Sequence, residues 1–504
     1  MDPSARIVID PSRTVAELDR RVFGSFVEHM GRCVYTGVYE PEHPSADEHG
    51  FRTDVLDLVR ELGVSLVRYP GGNFVSGYRW EDGVGPRAER PVRRDLAWRS
   101  TETNQFGLDE FMAWTRRAGV EPMMAVNLGT RGVQEALDLH EYANHPAGTA
   151  LSDRRVANGT AEPHDVRLWC LGNEMDGPWQ TGHKTAREYG RLAAETARAL
   201  RQADDRLQLV ACGSSGSQMP TFGAWEATVL EESYDLVDMV SAHAYYQEVD
   251  GDVASFLASG VDMDHFIESV VATADAVGAR LGSRKRVGIS FDEWNVWYQS
   301  RFEEEGPPPG WPEAPRLIED QYNVTDAVVV GGLLVSLLRH SDRVQAACLA
   351  QLVNVIAPIM TEPGGRAWRQ TIFHPFAQAS ALCSGDVLSL AVDAPAVTTA
   401  RFGDVTALDA VATRDDRGTT LLVVNRSPDD AAEVTVDTRA LGRQQVGSCT
   451  TIHDADRFAV NTADDPDRVR PRPLEVVVDD DALRLTLPAV SFTVLRLRDE
   501  GSSS

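Results

Sequence analysis

The sequence predicts an α/β protein: a (β/α)8 TIM barrel with an additional C-terminal β-sandwich domain. Between residues 18 and 383, short apolar runs alternate with amphipathic helical stretches, which is the pattern of parallel strands and crossover helices. After residue 383 the helical period gives way to short runs of alternating apolar and polar residues, typical of antiparallel sheets. The 504 residues are enough for both domains.

Eight apolar runs are the predicted barrel strands. They are residues 22–26, 65–69, 122–127, 166–171, 207–211, 239–244, 286–291 and 344–352. A doubly wound open sheet would give much the same alternation of strand and helix, but a count of eight favours the closed barrel.

The segments between these runs carry helical stripes. Val55, Leu58, Val59 and Leu62 recur at i, i+3, i+4 and i+7, and Gly63 follows as a C-terminal stop. Two further stripes have the same spacing: Leu108, Phe111 and Met112; and Tyr189, Leu192, Ala193, Thr196, Ala197 and Leu200. We expect all three stripes to be buried against the sheet.

The sandwich is predicted from alternating runs at residues 433–437, 475–478 and 492–497, separated by Asp, Gly and Pro clusters. A run at residues 6–10 has no partner in the barrel count, so it is assigned to the same sandwich. The predicted domains are therefore residues 18–383 for the barrel, and 1–17 plus 384–500 for the sandwich. Residues 501–504 are expected to be a disordered tail.

Composition excludes several classes of function. The formal net charge of −27 makes nucleic acid an improbable partner. The longest apolar run, residues 327–338, is too short to span a bilayer, and the amino terminus lacks a signal-peptide pattern, so a cytoplasmic protein is expected. The six cysteines form no CxxC pair and the histidines show no zinc-ligand spacing, so neither a metal nor a cofactor is expected.

Two glutamates follow apolar strands directly. Glu174 comes after the fourth predicted strand and Glu293 after the seventh. Catalytic groups of barrel enzymes lie at the carboxyl ends of strands, so this pair is expected at the barrel mouth. Two opposed carboxyl groups are what glycoside hydrolysis requires, and a separation of about 5 to 5.5 Å would predict retention of configuration.

Several segments together resemble the α-L-arabinofuranosidases of glycoside hydrolase family 51, within clan A. The likeness runs over nearly the whole chain in the expected order. The segments are residues 26–31 (FVEHMG), 68–74 (RYPGGNF), 172–174 (GNE), 241–246 (SAHAYY), 292–295 (DEWN) and 351–361 (QLVNVIAPIMT).

The resemblance implies roles for individual residues. It makes Glu174 the acid/base and Glu293 the nucleophile. It places four side chains on the sugar hydroxyls: Glu28, Asn73, Asn173 and Gln351. It also places Arg68 and Tyr245 against the nucleophile, and Trp98 in the sugar pocket.

Two further candidates come from local sequence. His243 precedes Tyr245 by two residues, so both side chains should lie on one side of a strand, where His243 would tune the acid/base. A hydrogen-bonded core histidine is the alternative. Residues 303–315 are too rich in proline and charge for a helix or strand, which indicates a loop at the active-site face. Trp311 in it would cover the substrate, or else belong to a solvated surface loop.

The resemblance therefore implies a retaining, exo-acting α-L-arabinofuranosidase that acts on arabino-oligosaccharides and arabinoxylo-oligosaccharides. It also implies a homo-oligomer, specifically a hexamer. Another clan A activity, such as an endo-glucanase or a β-xylosidase, would use the same carboxylates. A non-catalytic carbohydrate-binding protein is the alternative from a different class.

Overall fold

In the computed structural model, which describes residues 5–479 and 482–499, eight parallel strands close into a barrel. Each strand pairs with its neighbours in chain order, and the eighth pairs with the first, so the predicted closed barrel is confirmed. The barrel strands are Gly24–Phe26, Leu66–Tyr69, Glu121–Ala125, Leu168–Leu171, Gln208–Ala211, Met239–Tyr246, Gly288–Val296 and Val344–Leu349.

Helices connect these strands. The α-helices are Thr53–Leu62, Leu108–Ala118, Val133–Asn144, Ala150–Ala157, Ala186–Ala203, Ala224–Ser233, Val253–Leu257, Ser259–Leu281, Gln299–Glu305, Val324–Arg339 and Phe373–Leu382. The 3-10 helices are Arg20–Phe23, Asn73–Gly77, Trp80–Gly83, Arg87–Glu89 and Arg439–Leu441. The predicted stripes are buried except for Leu192, which is half-buried, and Gly63 ends its helix in the left-handed conformation as expected.

Two sheets form the second unit. One has the strand order Ala391–Asp393, Ala5–Val8, Ala432–Asp437, Ala482–Leu487 and Val477–Asp479. The other has the order Thr14–Glu17, Asp386–Leu388, Leu408–Asp415, Gly418–Asn425, Ser491–Asp499, Gln444–Ile452 and Arg472–Pro473. Side chains from both sheets, among them Ile7, Leu421 and Leu485, share one apolar core.

Three two-stranded hairpins complete the described strands. They are Arg93–Asp95 with Ser100–Glu102, Ile359–Thr361 with Ala367–Arg369, and Ala396–Thr399 with Gly403–Thr406.

Helix Val324–Arg339 lies between barrel and sandwich. Almost all of its side chains are buried, and apolar residues of the seven-stranded sheet belong to the same core cluster as the barrel. Gly331 contacts Phe492 so closely that an added Cβ would meet its ring at 2.4 Å. This explains the longest apolar run of the sequence, because a helix covered on two sides is apolar all round. Among the described residues, no helix is long and apolar enough to cross a membrane.

Several predicted strand limits were wrong. Residues 22 and 23 belong to the 3-10 helix Arg20–Phe23, whose first turn is capped by the carboxylate of Asp19. The seventh strand runs to Val296 rather than to residue 291, because residues 294–296 pair with residues 244–246 of the sixth strand. The eighth strand ends at Leu349, three residues before the predicted limit.

The predicted loop at residues 303–315 and the predicted strand at residues 475–478 need correction, and two terminal segments lie outside the described residues. Residues 303–305 are not loop, because they form the last turn of helix Gln299–Glu305. The strand predicted at 475–478 is Val477–Asp479. The expected tail at residues 501–504, together with residues 1–4 at the start of the predicted sandwich, lies outside the described residues.

Candidate active site

Two buried glutamates face each other at the carboxyl end of the barrel. Glu174 lies just beyond the fourth strand in the left-handed conformation, with φ of 44°, and Glu293 lies within the seventh strand. One carboxylate oxygen of each is within 4.8 Å of the other. Their exposed fractions are only 8% and 6%. The arrangement suits a retaining glycosidase, whose carboxyl groups are about 5 to 5.5 Å apart.

Glu293 is held by two donors. Nη1 of Arg68 donates to its Oε1 at 2.9 Å, and the hydroxyl of Tyr245 donates to its Oε2 at 2.8 Å. Burial and the nearby Glu174 raise the pKa of Glu293, while the positive charges of His243 and Arg68 and the hydroxyl of Tyr245 act in the opposite direction. These contacts favour an ionised, fixed carboxylate, which is the form that attacks an anomeric carbon.

Glu174 has a different pair of partners. Nδ1 of His243 lies 2.9 Å from its Oε1, and the indole N–H of Trp179 donates to its Oε2 at 2.8 Å. Nε2 of His243 lies 3.0 Å from Oδ1 of Asp292. Burial would lower the pKa of His243, but the neighbouring carboxylates, led by Glu293, raise it well above its usual range. A protonated His243 donates to both Glu174 and Asp292, and so fixes the orientation of Glu174.

Asp292 connects His243 to Arg68 in this hydrogen-bond network. Its Oδ2 lies 3.5 Å from Nε of Arg68 and accepts the thiol of Cys170 at 3.6 Å. Burial alone would raise the pKa of Asp292, but Arg68 and His243 hold it below the usual value. The pairing register shifts between Phe291 and Trp294. That irregularity lets two consecutive acidic side chains, which a regular strand would direct to opposite faces, both join the site.

A cavity of about 430 Å³ opens over the two glutamates. Its wall includes Glu28, Asn73, Trp98 and Gln351, each of which the resemblance implied. Oε1 of Glu28 accepts the indole N–H of Trp98 at 2.8 Å, and Nε2 of Gln351 donates to Oε2 of Glu28 at 3.2 Å. Oε1 of Gln351 is buried without a hydrogen-bond partner among the described residues, so it is available to a ligand hydroxyl.

Two other features of the site concern hydrogen bonding. Burial raises the pKa of Glu28 to about 8, so its carboxyl group can also act as a donor near neutral pH. Asn173 accepts from Nη2 of Arg68 at 2.8 Å and donates to Oδ1 of Asn73 at 3.2 Å. The two asparagines are thereby fixed beside Glu174 and Glu293, and Asn73 lines the cavity, where it can bind a ligand.

The structure leaves three expected residues outside the lining of the ligand cavity: Asn173, His243 and Trp311. Asn173 is buried against Arg68 and Asn73. His243 lies behind Glu174 and does not line the cavity, so it acts on the substrate only through Glu174. Trp311 is also outside it: its backbone oxygen accepts from Thr101 at 2.7 Å, and its ring lies against the guanidinium of Arg94. In this structure the strand Ser100–Glu102 holds the segment away from the cavity, because the backbone N–H of Thr101 donates to the backbone oxygen of Pro312 at 3.0 Å. That Trp311 covers the substrate stays a prediction.

Sequence reasoning missed other wall residues. Phe302 and Glu303, from helix Gln299–Glu305, line the cavity together with Trp297. Phe302 contacts the ring of Trp297 at a centroid distance of 6.0 Å. Trp179 was missed as well. A tryptophan five residues after the acid/base candidate was the available signal, but only the folded loop shows that its N–H reaches Glu174.

The only group of described residues that could hold a metal ion is the trio Glu174, His243 and Glu293. Both nitrogens of His243 already lie against carboxylate oxygens, and Arg68 and Tyr245 donate to Glu293. The donor set of this trio is therefore engaged in hydrogen bonds within the protein.

Replacement of Arg68 by glutamine is expected to move the acidic limb of the kcat/KM profile to higher pH. Arg68 lowers the pKa of Glu293, so its loss raises that pKa, and Glu293 becomes protonated at a higher pH than in the wild type. We expect kcat to fall about 100-fold. The measurement is the pH profile with an aryl glycoside substrate.

Arg155→Gln is the matched control for this variant. Arg155 is as deeply buried, but it donates to backbone oxygens of Tyr142 and His145 away from the site. It should leave the pH profile unchanged even if it lowers stability. An unshifted acidic limb in Arg68→Gln would contradict the electrostatic role.

Comparisons with known proteins agree with this geometry. The family described as "Alpha-L-arabinofuranosidase 1 domain" matches residues 58–260, and "Alpha-L-arabinofuranosidase C-terminal domain" matches residues 292–491. The chain is 61% identical over 500 residues to the intracellular exo-α-(1→5)-L-arabinofuranosidase of Streptomyces lividans, covering 98% of this chain and 76% of the relative. It is 54% identical to the exo-α-(1→6)-L-arabinofuranosidase of Bifidobacterium longum, and the match covers 98% of this chain and 97% of the relative.

A solved structure gives the same result. The chain superposes on AbfB, a family 51 α-L-arabinofuranosidase from Bifidobacterium longum, with a TM-score of 0.95 and 49% identity. The match covers 99% of this chain and 100% of that one.

Proposed function

The chain belongs to the α-L-arabinofuranosidases of glycoside hydrolase family 51, and from that membership we propose that it is a retaining, exo-acting α-L-arabinofuranosidase. Its substrates would be the terminal non-reducing α-L-arabinofuranosyl residues of arabino-oligosaccharides and arabinoxylo-oligosaccharides. The observation that carries the proposal is the buried pair Glu174 and Glu293, with oxygens within 4.8 Å, beneath a walled cavity.

The two glutamates divide the reaction. Glu293 attacks the anomeric carbon, while Glu174 gives its proton to the leaving oxygen, so that an arabinosyl-enzyme ester forms and the alcohol departs. Glu174 then takes a proton from water, whose oxygen attacks the same carbon and releases Glu293. Two inversions give net retention. The donors on Glu293 support its role as nucleophile.

The remaining wall residues are proposed to bind the arabinosyl unit. Glu28, Asn73 and Gln351 offer hydrogen-bonding groups in the wall, and Trp98 offers an apolar face beside Glu28. For Asn173, which directly precedes Glu174, we propose the contact that the family resemblance implies, a hydrogen bond to the sugar that strengthens in the transition state. We assign His243 and Arg68 to positioning the two glutamates, not to substrate contact.

Other aspects of the proposal follow the relatives. Several are named as intracellular and as acting on (1→5) linkages, and one on (1→6), so we propose an intracellular enzyme for short oligosaccharides without assigning a linkage. We also propose a homo-hexamer, as the family resemblance implies; sedimentation velocity at micromolar concentration would show a monomer if this is wrong.

The competing functions are less well supported. An endo-glucanase needs an open cleft for a long chain, whereas here Trp98, Trp297 and Phe302 all line a cavity over the carboxylates. A non-catalytic binding protein has no need for two buried carboxylates held at this separation, because burying them is costly.

The test is release of arabinose by the wild-type protein. We expect hydrolysis of 4-nitrophenyl α-L-arabinofuranoside and of short arabino-oligosaccharides from the non-reducing end, with α-arabinofuranose as the first product by NMR. Intact arabinan should be hydrolysed more slowly than the oligosaccharides. Activity on aryl β-xyloside or glucan in place of the arabinoside would overturn the assignment.

A further inference from the structure

A second cavity, of about 320 Å³, adjoins the active-site cavity. Leu96 and Thr181 line both cavities. Thr181 lies two residues after Trp179, whose indole contacts Glu174. The leaving oxygen takes its proton from Glu174, so the departing part of the substrate lies on this side. The second cavity is therefore positioned to receive sugar units of the leaving group, and its volume falls within the range of ligand sites.

Three arginines, Arg79, Arg93 and Arg94, line this second cavity and are exposed. Arg93 is paired with Asp82 at 2.9 Å. Within the described part of the chain, no ion pair is found for Arg79 or Arg94, and the latter has only the ring of Trp311 against its guanidinium. Two unpaired guanidinium groups beside an active site are notable on a chain with a net charge of −27.

The acidic residues of the lining do not neutralise these two arginines. Asp95 accepts the backbone N–H groups of Ala97 and Trp98, each at 3.0 Å, and is largely buried. Glu102 is buried against His29, with Oε2 2.8 Å from Nδ1 of the imidazole. Both carboxylates are thus held within the protein, and the accessible charge of the second cavity is positive.

The second cavity also contains a buried polar atom without a hydrogen-bond partner among the described residues, Oδ1 of Asn104. Asn104 lines the second cavity and is fully buried, and its Nδ2 donates to the backbone oxygen of Pro91 at 2.7 Å. Its Oδ1 has no hydrogen-bond partner among the described residues. An unpaired buried acceptor carries a free-energy cost that a ligand hydroxyl would relieve.

We propose that the second cavity is a leaving-group subsite that recognises the carboxylate of a hexuronic acid unit in the oligosaccharide. The inference rests on the proposed function. Guanidinium groups bind carboxylates through paired N–H donors, and uronic acids are sugars that carry one. Arg79 and Arg94 would hold the carboxylate, while Asn104 accepts a sugar hydroxyl. The exposed side chain of Leu96 would pack against the sugar ring.

The test compares two matched substrates. One is an arabinofuranosyl-substituted xylo-oligosaccharide that carries a glucuronosyl unit, and the other is the same molecule with the carboxyl group reduced to an alcohol. We expect the wild type to hydrolyse the acidic substrate with about three- to fivefold higher kcat/KM at low salt, as for exposed ion pairs. The preference should fall towards one at 0.5 M salt because the charges are screened.

Variants locate the effect. Arg79→Gln with Arg94→Gln should remove the preference, because kcat/KM on the acidic substrate falls to the value that the same variant shows on the reduced substrate. Arg187→Gln, at an exposed arginine that lines neither cavity, is the matched control and should keep the preference. Equal rates on both substrates in the wild type, or a preference that survives in the double variant, would overturn the inference alone. No arabinose from either substrate would refute the proposed function, and the inference with it.

Discussion

Replacement of Glu293 by alanine is expected to reduce kcat on 4-nitrophenyl α-L-arabinofuranoside by about 10⁵-fold, because the variant cannot form the arabinosyl-enzyme ester. A good leaving group does not help, since the missing group is the proposed nucleophile itself. Added azide should restore turnover by occupying the vacated space. It would attack from the same face as Glu293 in a single displacement, and so give the β-arabinofuranosyl azide.

The control for this variant is Glu110→Ala. Glu110 is also a mostly buried glutamate paired with an arginine, with Oε1 2.9 Å from Nη2 of Arg90, but it lies outside the cavity. Its loss should affect stability more than kcat, and azide should have no effect. The α-azide from Glu293→Ala, or a loss below tenfold, would contradict the role of Glu293.

Replacement of Glu174 by alanine is expected to give losses that depend on the leaving group. With oligosaccharides, kcat/KM should fall by about 10³- to 10⁴-fold because the departing alkoxide needs a proton. With the 4-nitrophenyl substrate the first step needs little assistance, so the arabinosyl-enzyme accumulates and its hydrolysis limits the rate. Azide, which needs no general base, should then attack this ester and give the α-arabinofuranosyl azide.

Trp179→Phe provides a comparison at the same carboxylate. It keeps an aromatic ring but removes the N–H that donates to Oε2 of Glu174. We expect a loss of about tenfold on oligosaccharides, as for one hydrogen bond to a charged group, without accumulation of the intermediate. Equal losses on both substrates in Glu174→Ala, or the β-azide as its product, would exclude the acid/base role.

Local sequence was enough to predict the barrel and to predict that Glu174 and Glu293 meet at one end of it. Hydrophobic periodicity reports directly which face of each element is buried, and the eight apolar runs correspond to the eight strands. A parallel sheet brings the carboxyl ends of its strands to one edge. Positions after the fourth and seventh runs therefore had to meet, whatever the details of packing.

Only the tertiary structure decided how these glutamates are held. The contacts of His243 with both Glu174 and Asp292 depend on register shifts in two neighbouring strands, and no local pattern encodes them. The same holds for residues 299–315: helix Gln299–Glu305 brings Phe302 to the cavity, while pairing with Thr101 keeps Trp311 away. Periodicity records burial, but contacts between distant segments depend on register and loop path, which are settled when the whole chain packs.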